Sequence, residues 1–519
     1  MEAKKRERVW TLHESKDDAG TKQDIRALAQ GLQMSELCAK LIYNRGFKTV
    51  EQAERFLKNE ESQLHDPFLM MDADKAVARI RRSIERHEKT VIYGDYDVDG
   101  VTAVSVLYLY LKEQGADVSY YIPSRNGEGY GLSCAALDRL KADGVEFIIT
   151  VDTGITANEE ADYATSLGID MVITDHHECR AELPRACAVV NPHRPDCAYP
   201  FKELAGVGVI FKVICALEMD ACRRAGRPVI DGVRRISYAY ADLTAIGTIA
   251  DVMPLVDENR LIVALGLRLI AKTERHGLAA LIEASTSQGA KSVNLSSGVR
   301  SAPRKKKITS SLIGYGIAPR INAAGRISNA SKAVELLLAE DSENAARMAQ
   351  ELCEINRCRQ VEENRIAEQA YQRIEQSHDF DRDRIIVLED NGWQQGIIGI
   401  VSSRITEKYG LPSILISFDG TARSEDSCED IGKGSGRSIK GLNLVEAMNH
   451  CEDLLVKYGG HELAAGLTIE RGQVDAFRRR INEYAAEKLD EKSLAVQLEA
   501  DCEVRMYSPF ICLLSRIPR

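Results

Sequence analysis

The sequence predicts a two-lobed α/β protein, with a mainly parallel sheet in the larger lobe and a smaller second α/β unit joined to it by a long helix. Three observations carry this. From about Lys89 short β-rich runs alternate with amphipathic helical patterns that stop at glycines. The alternation gives way at Lys332 to Ser377 to a charged stretch free of Gly and Pro. A fresh strand pattern then begins at Arg384. A chain of 519 residues also exceeds one ordinary core and suggests roughly three units.

Residues 1–75 alternate short helical patterns with turns, as in Asp24 to Leu32 and Thr49 to Leu57, and read as a helical preface. Thr90 to Tyr93, Val118 to Ile122, Phe147 to Val151, Met171 to Thr174 and Ala188 to Val190 read as strands. Between them, helices over Thr102 to Gln114, Ser133 to Asp143 and Ala157 to Leu167 end at Gly115, Gly144 and Gly168, where the left-handed cap favours glycine. Strand and helix alternating in this way require right-handed crossovers and a parallel sheet. Helices continue through Val207 to Leu217, Tyr238 to Ile249 and Asn259 to Ala271. The expected boundaries are 76–331 for the larger lobe, 332–377 for the helical connector, 378–490 for the smaller lobe and 491–519 for a short tail.

With 44% hydrophobic and 28% charged residues the composition is that of a globular protein. No apolar run reaches membrane-spanning length, and basic Met1 to Arg8 lead into no apolar signal region. A cytoplasmic protein without a membrane partner is expected. The 13 cysteines contain no C-x-x-C pair, so neither a disulfide framework nor a zinc site is supported. The net charge of −10 hides an asymmetry, since Ala284 to Val334 contains no acidic residue. Lys291, Arg300, Arg304, Lys305, Lys306, Lys307, Arg320, Arg326 and Lys332 lie in it. This is either a solvated loop region or a local positive field for phosphate.

Ligands of a parallel α/β sheet bind beyond the carboxyl ends of its strands. The first strand runs into Asp95-Tyr96-Asp97-Val98-Asp99-Gly100, the third ends at Asp152 and the fourth at Asp175-His176-His177; a later helix ends at Asp251. One such carboxylate is often a helix N-cap, the bland reading of Asp152. Several in one crevice resist ionisation unless divalent cations neutralise them. Oxygen-rich ligands with some imidazole suit manganese or magnesium, and two such ions suit hydrolysis of a phosphoester or phosphoanhydride.

These motifs, in this order and approximate spacing, resemble those of the DHH phosphoesterase superfamily. The resemblance implies Asp97 and Asp99 as ligands to two manganese ions, Asp152 as their bridge, His176 and Asp251 completing the second ion, and His177 on the scissile phosphate. Many relatives carry a histidine where this chain has Tyr93, and Asp95 is the expected replacement ligand. Asn191-Pro192-His193-Arg194, Leu204-Ala205-Gly206-Val207-Gly208 and Ala318-Pro319-Arg320-Ile321-Asn322-Ala323-Ala324-Gly325-Arg326 resemble RecJ signatures within the superfamily.

In the smaller lobe, Gly434-Ser435-Gly436-Arg437-Ser438 and Gly459-Gly460-His461-Glu462-Leu463-Ala464-Ala465-Gly466 resemble substrate-binding elements of the DHH-associated domain. Glycines 434 and 436 would turn backbone N–H groups toward an anion, and Arg437 would pair with phosphate oxygens. A flexible surface loop is the bland alternative for this segment, and a satisfied structural histidine the one for His461. Asn191, Arg194, Arg320, Asn322, Arg326, Ser435, Arg437 and His461 are thus the expected substrate-binding residues. Trp393-Gln394-Gln395 departs from the family, where histidine often follows the tryptophan.

The resemblance implies a 5′-to-3′ exonuclease on single-stranded DNA in repair and recombination, using two divalent cations, manganese before magnesium. One strand would enter a cleft between the lobes, and a single-strand-binding protein or a helicase would be a further partner. The alternatives are an oligonucleotide or cyclic-dinucleotide phosphodiesterase of the same superfamily, or a non-catalytic replication scaffold. RecJ-like chains follow the second lobe with an OB-type barrel, so the tail reads as the remnant of a missing OB domain; its apolar part is Met506 to Leu514.

Overall fold

The computed structural model describes residues 8–12, 19–58, 63–124, 131–291, 307–380, 382–418, 430–490 and 496–503. The tail segment from Met506 and the basic residues Arg300, Arg304, Lys305 and Lys306 lie outside them. The chain divides into two compact units, one within residues 59–360 and one drawing on 1–58 and 361–519. The second unit includes strand β1 (Arg8–Leu12) and helices Ala19–Gly31, Glu36–Asn44 and Val50–Lys58.

The first unit is built on strands β2 (Thr90–Gly94), β3 (Val118–Tyr121), β4 (Phe147–Val151), β5 (Asp170–Thr174) and β6 (Ala188–Val190). They form one parallel sheet in the order β3-β2-β4-β5-β6. Successive residues of a strand face opposite sides. Ile92, Ile149, Val151, Val172 and Val190 therefore pack with helices Val98–Glu113, Gly206–Arg224 and Val229–Ala250. Val91, Tyr93, Ile148, Ile173 and Val189 pack on the other side with Cys134–Ala142 and Asn158–Ser166. Both faces are covered, which is why these strands read as near-continuous apolar runs. The chain leaves β2 toward β3 and returns to β4 on the opposite side, so the switch point lies between β2 and β4.

The sequence places the strands to within a residue or so, whereas several helices begin earlier than their apolar periodicity. The first starts at Val98 rather than Thr102 because Asp97 accepts a hydrogen bond from Gly100 N (3.0 Å) and caps it. The charged connector is two helices, Ser331–Leu337 and Ser342–Ser377.

The second unit has a mixed sheet of β7 (Ile386–Asp390), β8 (Ser413–Ser417), β9 (Ile431–Arg437), β10 (Lys457–His461) and β11 (Ala464–Glu470), in the order β10-β11-β9-β8-β7. Only β7 and β8 run parallel within it. Strand β12 (Val496–Ala500) pairs in parallel with β1. The preface thus contains a strand as well as the expected helices. A strand whose partner lies almost a full chain length away leaves no local signal.

The first unit also holds an ion pair away from the sheet edge. Lys212 and Glu258, 1% and 0% exposed, meet at 2.6 Å (Nζ to Oε1), and Lys212 Nζ also donates to His65 O at 2.6 Å. Tyr199 donates to the second Glu258 oxygen, and His65 N to Oε1 at 2.9 Å. Breaking such a pair strands a buried charge. Lys212→Met is expected to lower the unfolding free energy of this unit by about 3–5 kcal/mol, and Lys212→Met with Glu258→Gln to recover most of it. Urea unfolding checks this; equal losses in the single and double variants would show that the charge is not what matters.

Candidate metal centre

Asp95, Asp97 and Asp152 flank the switch point, the first two on the turn after β2 and the third at the end of β4. Their carboxylates come close enough to share an ion. A second ligand group joins Asp99, His176 and Asp251, and a third joins Asp152 to His176 and His177. Asp152 and His176 each belong to two groups, so the three groups form one continuous centre. His176 Nε2 lies 3.2 Å from Asp152 Oδ1, 3.7 Å from Asp251 Oδ2 and 3.8 Å from Asp99 Oδ2. The bland role and the ligand role coincide at Asp97, which is both helix cap and member of the cluster. Asp152 is no N-cap; its backbone takes φ 60°, a left-handed value that non-glycine residues hold only at a cost.

Asp99 is held by the start of helix Gly206–Arg224, with Gly206 N donating to Oδ2 (2.6 Å) and Val207 N to Oδ1 (2.9 Å). A helix N-terminus favours negative charge. Close packing explains two glycines here. A Cβ on Gly206 would lie 2.5 Å from Asp152 Cβ, and one on Gly247 would lie 2.4 Å from Thr102 Oγ1 and 2.9 Å from Asp99 Oδ1. Gly247 carries no sequence signal, since nothing in the helical pattern around it shows that its Cα meets Thr102 and Asp99.

The electrostatics fit divalent cations. Burial, then Asp251 and Asp97, push the Asp99 carboxyl well above its usual range; burial, then Asp99, Asp97 and Asp95, do the same to Asp152. Asp251 is pushed up to about 7 by burial and Asp97. Asp152 Oδ1 is buried and accepts no hydrogen bond despite its closeness to His176. Burial and the neighbouring His177 hold His176 down at about 4, so its imidazole is neutral and can be a ligand. An oxygen-rich set that resists ionisation, one buried oxygen without a donor and a neutral imidazole together suit a hard divalent ion.

His177 differs. Burial alone would lower it, but the hydrogen bond from Nδ1 to Asp175 Oδ1 (2.7 Å) and the Asp175 charge raise it to about 9. Asp175 stays ionised although buried, because His177 and the N–H groups of Ile155 and His177 hold it below its usual value. Asp175 is therefore a positioning residue to which the motif reading gave no role.

Several expected substrate contacts are engaged within the protein, two of them, Asn191 and Asn322, at turns of the centre. Asn191 is fully buried; its Nδ2 donates to His177 O (2.9 Å) and its Oδ1 accepts from His193 N (2.7 Å), so it fixes the His176-His177 turn. Arg194, 8% exposed, donates to Asp72 and Val189 O (2.7 and 2.6 Å) and to both Asp196 oxygens, which makes it a structural clamp. Asn322 Oδ1 accepts from Val98 N (3.2 Å), and a Cβ on Gly325 would lie 2.5 Å from Tyr96 O, so helix Ala318–Ile327 backs the 95–98 turn. Arg320 donates to Cys353 Sγ (3.1 Å) and to Gly316 O, while Arg326 is half-buried on the same helix. Tyr93 is buried in β2 with its hydroxyl on Gly131 O (3.0 Å); Asp95, not Tyr93, is a member of a ligand group, with Asp97 and Asp152.

In the other unit, register lines up the remaining residues. Ser435 lies opposite Gly466, and Gly466 opposite Gly459; Arg437 lies opposite Ala464, and Ala464 opposite His461. Ser435, Arg437 and His461 thus share one face across a floor of small residues, with His461 on the edge strand. The reading of Gly434 and Gly436 as an anion cradle is corrected. Both sit inside β9, paired on either side, and their Cα positions press on Leu467 and Leu444, where a Cβ would approach to 2.8 Å. They are glycines for packing. Trp393 is buried, its Nε1 donating to Gln369 Oε1 (3.0 Å).

Residues 89–248 match the DHH family N-terminal domain and 382–487 the DHHA1 domain. The single-stranded-DNA-specific exonuclease RecJ of Dickeya dadantii is 35% identical over 90% of this chain and 78% of its own length. The chain belongs to the RecJ family. The Bacillus subtilis RecJ is 39% identical over 94% of this chain. The crystal structure of Thermus thermophilus RecJ with Mn2+ covers 95% of the chain at a TM-score of 0.74 and 29% identity. This RecJ-family chain spans 58% of the B. subtilis protein's length and 64% of the T. thermophilus chain.

The crowded carboxyls imply a pH effect in metal-free protein. Their folded values lie above the unfolded ones, so they contribute stability that is complete below about pH 4 and is lost as pH rises through about 7, the value of Asp251. Asp152→Asn removes one charge and keeps a residue type that tolerates the left-handed backbone. In chelator at pH 8 it should melt about 2–4 °C above wild type and gain less from added Mn2+. Thermal melts at pH 5 and 8 check this; a variant melting below wild type at pH 8 would contradict the charge-crowding account.

Proposed function

We propose that this chain is a divalent-metal-dependent exonuclease that hydrolyses single-stranded DNA in the 5′-to-3′ direction, serving DNA repair and recombination. The observation that carries the chemistry is the single centre of Asp95, Asp97, Asp99, Asp152, His176 and Asp251 at the sheet's switch point. The substrate class is supported by the single-stranded-DNA-specific exonucleases the chain resembles, and the polarity is inferred from the RecJ-like motifs alone. Asp95, Asp97 and Asp152 would hold one cation, and Asp99, Asp152, His176 and Asp251 the other, with manganese preferred to magnesium. When bound, such a pair supplies Lewis-acid activation of water and charge stabilisation at phosphorus.

The protein's own groups divide the remaining work. The Gly206 and Val207 N–H groups fix Asp99, and the backing of Asn322 and Gly325 fixes the 95–98 turn. His177, protonated and oriented by Asp175, offers a charge-assisted hydrogen bond to a phosphate oxygen. Arg437, with Ser435 and His461 on the same face, would take a further phosphate. Among the described residues no helix is long and apolar enough to cross a membrane.

The decisive experiment compares 5′- and 3′-labelled single-stranded DNA, duplex DNA, RNA and dinucleotides with Mn2+ added or chelated. Release of mononucleotides from the 5′ end of single-stranded DNA only with metal is expected, and Asp152→Ala should abolish it while folding survives. Preference for dinucleotides over longer strands would favour the oligonucleotide phosphodiesterase reading instead.

Arg437→Ala should weaken binding most at low salt and flatten the slope of log affinity against log salt by about 0.7, one phosphate contact on a single strand. A salt series checks this; an unchanged slope would remove Arg437 from the substrate face.

A further inference from the structure

Between the short helix Ser310–Leu312 and helix Ala318–Ile327 the chain makes a π-helical turn, Ile313–Ile317. Such turns are rare and are frequent at functional sites. Ile313 and Ile317 are fully buried and pin the turn at both ends. Tyr315, midway between them, is 86% exposed, more than any other large hydrophobic side chain among the described residues. Its neighbours are Gly314 and Gly316, so no adjacent side chain screens the ring. A Cβ on Gly314 would only reach ordinary contact with Ile249 Cγ2, at 3.8 Å, so packing does not account for that glycine.

The turn packs on helix Val229–Ala250, next to Ile249, and that helix delivers Asp251 to the metal centre two residues later. The turn thus lies against the end of the helix that leads into Asp251. Val252, next to Asp251 in the chain, is 85% exposed and holds φ 59°, a strained value for a β-branched residue. The local sequence is free of acidic residues from Ala284 to Val334, with Lys307 exposed and Arg326 half-buried on the described part. A single exposed tyrosine is ordinary on a protein surface. A ring carried on a π turn, bared by flanking glycines and set in an acid-free stretch whose turn packs on the helix leading into Asp251 is not.

We propose that Tyr315 is a stacking platform for a nucleobase of the strand being hydrolysed, an inference that rests on the nuclease reading above. Single-strand binders pair positive charge with aromatic rings on which bases stack regardless of sequence. Stacking requires a base free of its neighbours and its complement, so the platform also favours single strands over duplex.

The test uses the whole chain with Mn2+ and a single-stranded oligonucleotide. Tyr315→Ala should raise KM about tenfold with kcat little changed, the size of one lost base stack, and Tyr315→Phe should behave as wild type because the ring remains. Oligonucleotides with one abasic site moved along the strand provide the readout that a structural role would not move. At one position the missing base should cost wild type that same factor and cost Tyr315→Ala nothing further. If wild type degrades single-stranded DNA while Tyr315→Ala keeps its KM, or the abasic penalty is the same in both, the platform is wrong and the nuclease reading stands. If wild type neither binds nor degrades single-stranded DNA, both fall.

Discussion

Mutual repulsion among carboxylates is the constraint around which the first unit is built. Asp95, Asp97 and Asp99 follow β2, Asp152 ends β4 and Asp251 ends a later helix; they lie within ligand distance in overlapping groups, where burial and neighbouring charge oppose ionisation of Asp99, Asp152 and Asp251. The surrounding structure offsets part of this cost. The N-terminus of helix Gly206–Arg224 points two N–H groups at Asp99, and Gly206 and Gly247 let the helices come close enough to do so. The left-handed backbone of Asp152 is a further cost accepted at the same place. Divalent cations would remove the rest, which makes the centre a site where stability is given up for function.

The two histidines show how one turn yields two chemistries. They are adjacent in sequence and their ring centroids are 4.5 Å apart, yet His176 is held neutral and His177 is held protonated. The difference is Asp175, which bonds the Nδ1 of His177. Asn191 then fixes the turn through the His177 carbonyl. In the same segment Arg194 is bonded to Asp72, Asp196 and the Val189 carbonyl.

How much of this was legible beforehand depends on range. The strands of the first unit showed themselves because both faces are covered, and the ligand motifs because a parallel sheet puts its site just beyond its strand ends. Asp152 read alone as a plausible cap, and only its neighbours made it more. The pairing of β1 with β12, the packing duty of Gly434 and Gly436, and the internal engagement of Arg194 were not legible, since each is decided by a contact with no local signature.

The sequence by itself determined the α/β class, the order of the strands along the chain and the identities of the clustered carboxylates and imidazoles, because these follow from periodicity and from the residue that follows each strand. Tertiary structure alone decided what each polar residue meets. Arg194 and Arg437 are the same residue type in comparably suggestive motifs, yet Arg194 is buried between Asp72 and Asp196 while Arg437 lies on a partly open sheet face opposite Ala464. The physical reason is that a guanidinium takes whichever partners the packed neighbours leave within reach, and those neighbours come from distant parts of the chain.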